Sequence, residues 1–518
     1  MDFNYFLTLL VFSPLLGILL LAFMPKTNES GIKMLGVLAT LPSLILALIA
    51  YFSYRGGNEL ANFSEKFRWI QFGGQGAEQQ GMFAVNYELG IDGFGLIMVV
   101  LTAVIATLAA IASFHIKKEW KGYYMLFLLL EIGMLGVFTS QNLILFFLFF
   151  EITLIPMFFL IGKWGYYEKE KAAYSFLIYN GLGSAILLIV IMVLFSRTGT
   201  SNIDMLSVMM NTEGVPMFAP VSESLKMGLL IALLVAFGVK LPIFPLHSWM
   251  LRVHVEAPPS IVMIHSGILL KIGAFGLIRF GMGIFPEQFA ELAVLLAVLG
   301  VINLLYGAFL AFIQTDFKMV LAYSSISHMG IVLIGLGALN EAGIQGAIFQ
   351  VVSHGLISAL LFFLVGVFYE RTHTTTLANL GGMAKGMPLA SGFLLAGAMA
   401  SLGLPGMSGF VSEFMAFLGL FEEMPVLAAV GTIGIIMTAV YLLRAVLAIT
   451  YGNAEREFVG VSDIRSFEWA PVLVLVGLIV LIGVYPAVLS EPLQATLETI
   501  MMGIGGVMKD GFRYTSII

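Results

Sequence analysis

The chain has 518 residues, of which 59% are apolar and only 11% are charged, whereas an ordinary soluble protein carries about 25% charged residues. Apolar runs long enough to cross a bilayer recur along the whole sequence, so a polytopic membrane protein is predicted. The net charge is -6 and there is no cysteine. The lack of cysteine excludes disulfides, thiolate-ligated iron–sulfur clusters and cysteine zinc sites within this polypeptide.

The apolar runs predict about 14 membrane-spanning helices. The first, near 3–24, follows Asp2 instead of a basic region and has no obvious small-residue cleavage site, so we expect it to be retained. The others follow at about 31–54, 91–114, 122–140, 143–162, 172–196, 226–253, 258–282, 288–312, 318–338, 342–369, 388–420, 426–450 and 469–489. The expected fold class is therefore an all-α polytopic membrane protein with a single transmembrane domain, 1–518.

The predicted spans suggest an internal symmetry. N-terminal helices occupy 1–121, two pseudo-symmetric blocks of five spans occupy 122–282 and 288–450, and a last helix and tail occupy 469–518. Each block contains a broken helix, KLPIFP in the first and SLGLPGMSGFVSEF in the second. Interrupted segments at corresponding positions of two halves are typical of transporters with sites near the bilayer midplane. An odd number of spans per block would make the blocks inverted relative to each other.

Lysine and arginine orient the predicted bundle. The loops after odd-numbered spans hold most of these residues, among them Lys117, Lys118, Lys121, Lys163, Lys169 and Lys171. Because cytoplasmic loops carry an excess of Lys and Arg, both termini are expected on the non-cytoplasmic side. Arg279 and Arg444, near span ends, are expected to extend toward the interface, and Asp316 and Lys318 to form a surface pair.

A short set of ionisable residues remains inside the predicted spans: Glu131, Glu151, Lys240, His265, Lys271, His328, His354 and Glu413. Each charge at mid-membrane costs on the order of 3 kcal/mol on insertion scales, so an intramembrane ionisable residue indicates a functional site. Carboxylates and lysines that respond to a neighbour's charge can hold and release protons, and histidines can relay them. The set therefore predicts proton transfer through the membrane.

The stretch FGVKLPIFPLHSW, residues 237–249, combines Lys240 with two prolines. Pro242 and Pro245 each remove a helical hydrogen bond, and we expect the freed carbonyls to hold water or to partner the Lys240 ammonium. His247 would lie on the same face as Lys240 if the helix resumed. Irregular backbone at membrane depth is tolerated where it lines a hydrated cavity, so the break predicts a site.

Several of these residues could instead have a purely structural role. Glu151 could serve only as a hydrogen-bond acceptor, and Glu413 could reach water at a helix end. Glu131, His247 and His265 are candidate proton relays. The alternative for each is a packed core residue whose hydrogen bonds are satisfied.

Several kinds of site are not expected in this chain. The histidines, including His254, show no metal-ligand spacing such as HExxH, so no metal site is expected. No P-loop, dinucleotide fingerprint or nucleophile elbow is present, so no site for NADH, ATP or nucleic acid is expected either.

Six stretches together resemble the antiporter-like subunits of respiratory complex I, the proton-pumping NADH:quinone oxidoreductase. They are FFEITLIPMFFLIGKWG, VKLPIFPLHSWMLRVHVEAPPS, GILLKIGAFGLIRF, DFKMVLAYSSISHMG, SHGLISALLFFLVGVFYERTHT and LGLPGMSGFVSEF. The chain is most similar to the bacterial subunit M type, which has glutamate in the second broken helix where related subunits usually have lysine. Glu413 occupies that place, and only about thirty residues follow the last predicted span, too few for the long lateral helix of subunit L.

The resemblance implies a role for each matching residue. Glu151 resembles the glutamate that partners the broken-helix lysine, Lys240, and Lys271 resembles the central lysine that links two half-channels. His328 and His354 match histidines on the hydrated axis that ends at Glu413, and His247 matches a histidine after the first break. The chain departs from the family at MLRVHVEAP and at His265, where a small or apolar residue is expected.

The resemblance also implies the setting. The chain would be a non-redox, proton-translocating subunit in a bacterial cytoplasmic (inner) membrane, with neighbouring antiporter-like subunits. NADH, FMN, iron–sulfur clusters and quinone would be bound by other subunits. Two alternatives stay open: a subunit of a multi-subunit sodium/proton antiporter, and a structural membrane scaffold with a vestigial ion site.

Overall fold

The computed structural model describes residues 5–57, 59, 63–72, 83–212, 214–453 and 461–509. The predicted helical membrane bundle is confirmed. Among the described residues, twelve helical segments are long and apolar enough to cross a membrane: Phe6–Phe23, Glu29–Arg55, Gly93–His115, Trp120–Thr139, Leu143–Trp164, Lys169–Thr198, Pro259–Met282, Ala293–Ile313, Phe317–Gly337, Glu341–Thr372, Pro425–Tyr451 and Ser466–Val484.

The helices are numbered in chain order. The first half contains α1 Phe6–Phe23, α2 Glu29–Leu38, α3 Leu41–Arg55, α4 Gly93–Ala112, α5 Trp120–Thr139, α6 Leu143–Trp164, α7 Lys169–Thr198, α8 Ile203–Asn211, α9 Glu223–Lys240, α10 Ser248–Glu256, α11 Pro259–Ile264 and α12 Lys271–Gly276. The second half contains α13 Pro286–Glu291, α14 Ala293–Ile313, α15 Phe317–Gly337, α16 Glu341–Thr372, α17 Met383–Gly386, α18 Pro388–Ser401, α19 Ser408–Glu423, α20 Pro425–Tyr451, α21 Trp469–Val484 and α22 Ala487–Lys509.

The two remaining predicted spans, near 226–253 and 388–420, coincide with interrupted helices. α9 ends at Lys240 and α10 begins at Ser248, while α18 ends at Ser401 and α19 begins at Ser408. Proline explains both interruptions, because it removes a backbone donor and clashes with the preceding turn. The total of fourteen spans stays a prediction.

The centre of the bundle is formed by three spans. In their most apolar 18-residue windows, Pro259–Met282 is 100% buried, Glu341–Thr372 94% and Phe317–Gly337 89%, whereas α1 is 33% buried and exposes several of its leucines. Pro259–Met282 is not a uniform α-helix, because its turns at His265–Leu269 and Leu277–Met282 are π-helical. Such turns insert a residue into the helix and are frequent at functional sites.

A two-stranded antiparallel hairpin, β1 Glu65–Phe72 and β2 Phe83–Leu89, joins α3 to α4 and was not predicted from the sequence. The Tyr5 ring stacks on Phe67 of this hairpin at 5.1 Å between centroids. At the other end of the described chain, α22 receives a hydrogen bond from Gly93 N to Thr496 Oγ1 at 2.9 Å. Tyr5 and Thr496 therefore lie on one face of the bundle, called here the hairpin face.

The helix connections of the two blocks repeat one hydrogen-bonding pattern. In the first block, Leu143 N donates to Ser201 O and Ile203 N to Gln141 O; in the second, Phe317 N donates to Thr375 O and Leu377 N to Thr315 O.

The two connections lie on different faces of the bundle. Asn202 Nδ2 donates to Glu88 Oε2 of the hairpin at 2.9 Å. Lys318, next to the second connection, instead lies 3.8 Å over the Tyr166 ring, beyond the far end of the 22-residue helix α6. Since α6 rises about 33 Å at 1.5 Å per residue, the repeated connections lie on opposite faces, as an inverted relation requires.

Candidate functional site

Four of the residues singled out in the sequence form a row through the buried centre. Lys271 Nζ donates to His354 Nδ1 at 2.6 Å and to Ser266 O at 2.8 Å. The side chains of Lys271 and His354 are buried, and they come from different blocks. With Lys271 protonated, Nδ1 must accept, so the neutral His354 ring carries its own proton on Nε2. The pair joins the two blocks by a hydrogen bond along which a proton can move.

His328 continues the row from His354. The two imidazole rings lie 5.4 Å apart between centroids. His328 Nδ1 lies 3.6 Å from Glu413 Oε1, and His328 Nε2 lies 3.0 Å from Ser401 Oγ. His328 therefore stands between the central lysine–histidine pair and the terminal carboxylate.

Gln350 is a functional candidate that the sequence did not single out. Its Nε2 donates to His328 Nδ1 at 3.1 Å, and its Oε1 accepts from Ser412 Oγ at 2.5 Å. Gln350 stands one helical turn before His354 on α16, and this i, i+4 spacing is the signal that would have found it. The amide competes with Glu413 for the same nitrogen of His328.

Glu413 is buried and does not reach water at a helix end, because α19 directs its carboxylate back toward the second break. There Gly403 has φ +81°, and a Cβ on this residue would lie 2.6 Å from Glu413 Oε2. Glycine is thus needed at this position both for the backbone conformation and for the approach of the carboxylate.

Lys240 is buried at the last turn of α9 and faces aromatic rings. Its Nζ lies 5.0 Å from the centroid of Phe150 and 5.5 Å from that of Phe176. Glu151 lies within electrostatic reach, but no ion pair within 4.0 Å joins these two described residues. Glu151 Oε1 is buried without a hydrogen-bond partner. The structure therefore places Glu151 near Lys240, as predicted, but without a direct ion pair between them.

No hydrogen bond in the described part of the chain joins Lys240 Nζ to a carbonyl at the first break, so the expected direct partnership is not observed, while the expected water stays a prediction. Gly238 O accepts from Ile243 N, Val239 O accepts from Trp249 Nε1, and Pro242 O accepts from Asn303 Nδ2. Asn303 Oδ1 also accepts from Phe244 N at 2.8 Å. Neighbouring backbone and side-chain donors thus satisfy these three carbonyls, and the Lys240 ammonium faces aromatic rings instead.

His247 and Glu131 lie apart from the row. The His247 Nε2 atom lies 3.0 Å from Tyr306 Oη of α14, and the helix resumes only at Ser248. Glu131 is fully buried and accepts from Ser43 Oγ of α3 at 2.7 Å, while its second carboxylate oxygen has no partner. The structure does not join either residue to Lys271 or Glu413 by a hydrogen bond within the described chain.

His265 is hydrogen-bonded to a residue that the sequence left as core. His265 Nδ1 lies 2.9 Å from His254 Nε2, and both side chains are fully buried. No group of three or more histidine and acidic side chains that could hold a metal ion is found in the described ranges.

One expectation about charges near span ends is wrong, and the expectation for Arg279 stays a prediction. Arg279 is partly exposed beside the N-terminal end of α4, where its Nη1 donates to Asp92 Oδ2 at 2.6 Å and its Nη2 donates to Gln141. Lys318 is buried and not paired with Asp316: its Nζ donates to Val255 O, and the Asp316 carboxylate caps α15. Local spacing did not show these partners, because they come from distant parts of the chain.

Comparisons with known proteins show the family of this chain. The family model described as NADH:quinone oxidoreductase/Mrp antiporter, transmembrane, matches residues 140–438. NADH-quinone oxidoreductase subunit M of Rickettsia conorii is 34% identical over 95% of this chain and 98% of its own length. NAD(P)H-quinone oxidoreductase chain 4 of Gloeobacter violaceus is 36% identical over 95% of this chain and 92% of its own.

A solved structure extends the similarity to the fold. A chain of respiratory complex I from Thermus thermophilus superposes with a TM-score of 0.82 at 29% identity, covering 96% of this chain and 100% of that one. Residues 140–438, which the family model matches, include every residue of the row. This chain therefore belongs to the NADH:quinone oxidoreductase/Mrp antiporter membrane-subunit family, and its curated relatives are of the subunit M and chain 4 type.

Proposed function

We propose that this chain is the subunit M-type proton-translocating membrane subunit of an NADH:quinone oxidoreductase. The observation that carries the proposal is the row Lys271, His354, His328 and Glu413, in which a 2.6 Å hydrogen bond, two neighbouring rings and a 3.6 Å approach connect one block to the other. Such ionisable groups are expensive inside a membrane and mark proton paths.

The row supports a stepwise transfer. A proton that enters from the cytoplasmic side loads Lys240 or Lys271, and the charge of Glu151 sets how firmly Lys240 holds its proton, since opposite charge favours the charged form. Lys271 passes a proton to His354 Nδ1, and His354 Nε2–H supplies one toward His328. His328 then protonates Glu413, from which the proton leaves on the far side. The Gln350 amide must release His328 Nδ1 before that last step.

The energy for this movement comes from outside the chain in this proposal. NADH, FMN, iron–sulfur clusters and quinone are bound by other subunits, and quinone reduction there drives the charge changes here. Neighbouring membrane subunits, including antiporter-like ones, are the proposed partners. The location is the bacterial cytoplasmic membrane, with the hairpin face and both termini on the non-cytoplasmic side, as the distribution of Lys and Arg favours.

Purification of the tagged chain from native membranes tests the proposal. We expect an intact assembly that reduces quinone with NADH. In vesicles, this reaction should be accompanied by a change of the internal pH. If the assembly lacked this activity and instead exchanged sodium for protons in vesicles, the chain would be an antiporter subunit and the proposal would be wrong.

A further inference from the structure

A large cavity lies beside the N-terminal end of α4, on the hairpin face. It has a volume of about 630 Å³ and is lined by Lys66, Arg279 and four acidic residues, Glu65, Glu88, Asp92 and Asp204. A polar cavity of this size has room for many water molecules, and carboxylates can exchange protons with such water. The proposed release side of the pump therefore has a supply of protons that reaches into the bundle.

This cavity comes close to Lys271. Arg279, which lines the cavity, belongs to the same span as Lys271 and follows it in the sequence by two intervals of four residues. Two such intervals rise about 12 Å in an α-helix. Phe275 stands between them, one helical turn from each. A short stretch of protein thus separates the protons of the cavity from the central lysine.

Three buried phenylalanine rings lie in this stretch and are called here the aromatic layer. The Phe275 ring packs against Phe94 of α4 at 5.2 Å and against Phe138 of α5 at 5.1 Å between centroids. Phe94 also lines the cavity, so the aromatic layer begins at the cavity wall. Phenylalanine rings offer water no ordinary hydrogen-bond partner, and apolar constrictions of this kind stop conduction by excluding water.

The helices around the aromatic layer are closely packed. A Cβ on Gly95 of α4 would lie 3.0 Å from Phe138 O of α5. Residues 93–101 of α4, GFGLIMVVL, are all glycine or apolar, and Thr102 Oγ1 donates to Met98 O of its own helix. α4 therefore supplies no polar side chain between Asp92 and Thr102 on which a chain of water molecules could cross the layer.

Arg279 closes the aromatic layer on the cavity side. Its Nη1 donates to Asp92 Oδ2 at 2.6 Å, and its Nη2 donates to Gln141. Asp92 caps α4, and Gln141 belongs to the first of the two repeated connections, so the guanidinium is held between separate elements. Guanidinium keeps its charge in proteins. A fixed positive charge at a constriction repels protons and other cations.

We propose that the aromatic layer and Arg279 form a barrier that keeps protons of the hairpin face from reaching Lys271 through the first block. The inference rests on the proposed function, because a pump that leaked at its central lysine would lose the gradient that it makes. The rings act by excluding water and the arginine by repelling positive charge, so neither gains nor loses a proton. With the barrier closed, the row through His354 is the route by which protons leave Lys271.

Passive proton leak tests the barrier directly and needs no NADH. The assembled complex is reconstituted in vesicles, a pH gradient is imposed, and its decay is followed with a pH-sensitive dye. We expect several-fold faster decay with Phe275→Ser or Phe138→Ser, since each replaces a ring of the layer by a small polar side chain. Phe275→Leu keeps an apolar side chain and should decay as slowly as the wild type. Phe127→Ser removes an equally buried ring from the same helix as Phe138 and is the matched control, which should stay tight.

A second substitution shows where the leak runs. Lys271→Met added to Phe275→Ser should slow the decay again, because the leaking proton passes over Lys271, whereas a leak through a loosened bundle would persist. Should the serine variants fail to assemble, Arg279→Gln makes the test, with Arg444→Gln at an exposed position as its control. We expect faster decay in Arg279→Gln alone.

The outcomes separate the barrier from the wider function. Wild-type decay in Phe275→Ser and Phe138→Ser would overturn the barrier, and so would an equal leak in Phe138→Ser and Phe127→Ser. A leak in Phe275→Ser that Lys271→Met does not reduce would also overturn it. The proposed function is judged separately, by NADH-driven proton movement in the wild-type complex, and the absence of that movement would contradict it whatever the variants leak.

Discussion

Lys271 Nζ and His354 Nδ1 lie 2.6 Å apart, and this hydrogen bond connects the last span of the first block to the third span of the second. Both side chains are buried, so the bond is shielded from solvent. The corresponding connections of the two blocks lie on opposite faces of the bundle, so a path that ends on one face in the first block and on the other face in the second can become continuous at this point. The bond is therefore where the halves of the proposed proton path meet.

Lys240→Ala is expected to cripple proton movement while the complex still assembles. The Lys240 ammonium has aromatic neighbours and no ion pair within 4.0 Å among the described residues, so its removal leaves none of them as a buried partner charge in direct contact. Assembly is measured by native electrophoresis and proton movement in vesicles. A variant that pumps normally would contradict the role given to Lys240.

Glu413→Lys is expected to be poorly tolerated. It places an ammonium about where Glu413 Oε1 lies 3.6 Å from His328 Nδ1, so a protonated His328 would face a like charge. Proton movement in vesicles is the measurement, with Glu422→Lys at the exposed end of the same helix as the control. Wild-type movement in Glu413→Lys would show that the terminal group need not be acidic.

Gly403→Ala is expected to displace the Glu413 carboxylate. The backbone has φ +81° and the new Cβ would lie 2.6 Å from Glu413 Oε2, so we expect a destabilisation of about 1 kcal/mol or more, together with reduced proton movement. Thermal unfolding of the purified complex and vesicle assays check both effects. Gly392→Ala, where an added Cβ meets nothing within 4 Å, should leave both unchanged.

Gln350→Leu is expected to destabilise the protein by about 1–3 kcal/mol, because it removes the buried amide that donates to His328 Nδ1 and accepts from Ser412 Oγ. It also removes the amide that holds His328 away from Glu413, so the control of the last transfer step should be lost. Stability and the number of protons moved per NADH are the readouts. Gln345→Leu, on the same helix but partly exposed, is the control; equal behaviour of the two variants would contradict a special role for Gln350.

The functional importance of the ionisable residues was predictable, because a charged residue inside an apolar run has no common explanation other than a functional site. Lys240, Lys271 and Glu413 stood out for this reason, and the two breaks followed from proline. What these residues touch was not predictable. Asn303 and Gln350 are ordinary polar residues on long apolar helices, and their importance depends on partners on other helices, 22 to 62 positions away in the sequence.

The hairpin and α22 were missed for a related reason. β1 contains Lys66 and Arg68, so it lacks the apolar periodicity that marked the spans, and its pairing with β2 is set by tertiary context. α22 follows the last apolar span and was expected to be part of a tail. Its Thr496 contact with Gly93 stabilises it at the hairpin face, and no local pattern shows that contact.

The most direct test of the central path is the proton movement of Lys271→Met, which keeps the length of the side chain but cannot carry a proton. NADH oxidation and proton movement are recorded together in vesicles that contain the assembled complex. We expect fewer protons moved per NADH than in the wild type, with the complex assembled. An unchanged proton-to-NADH ratio would contradict a path through the bond between Lys271 and His354.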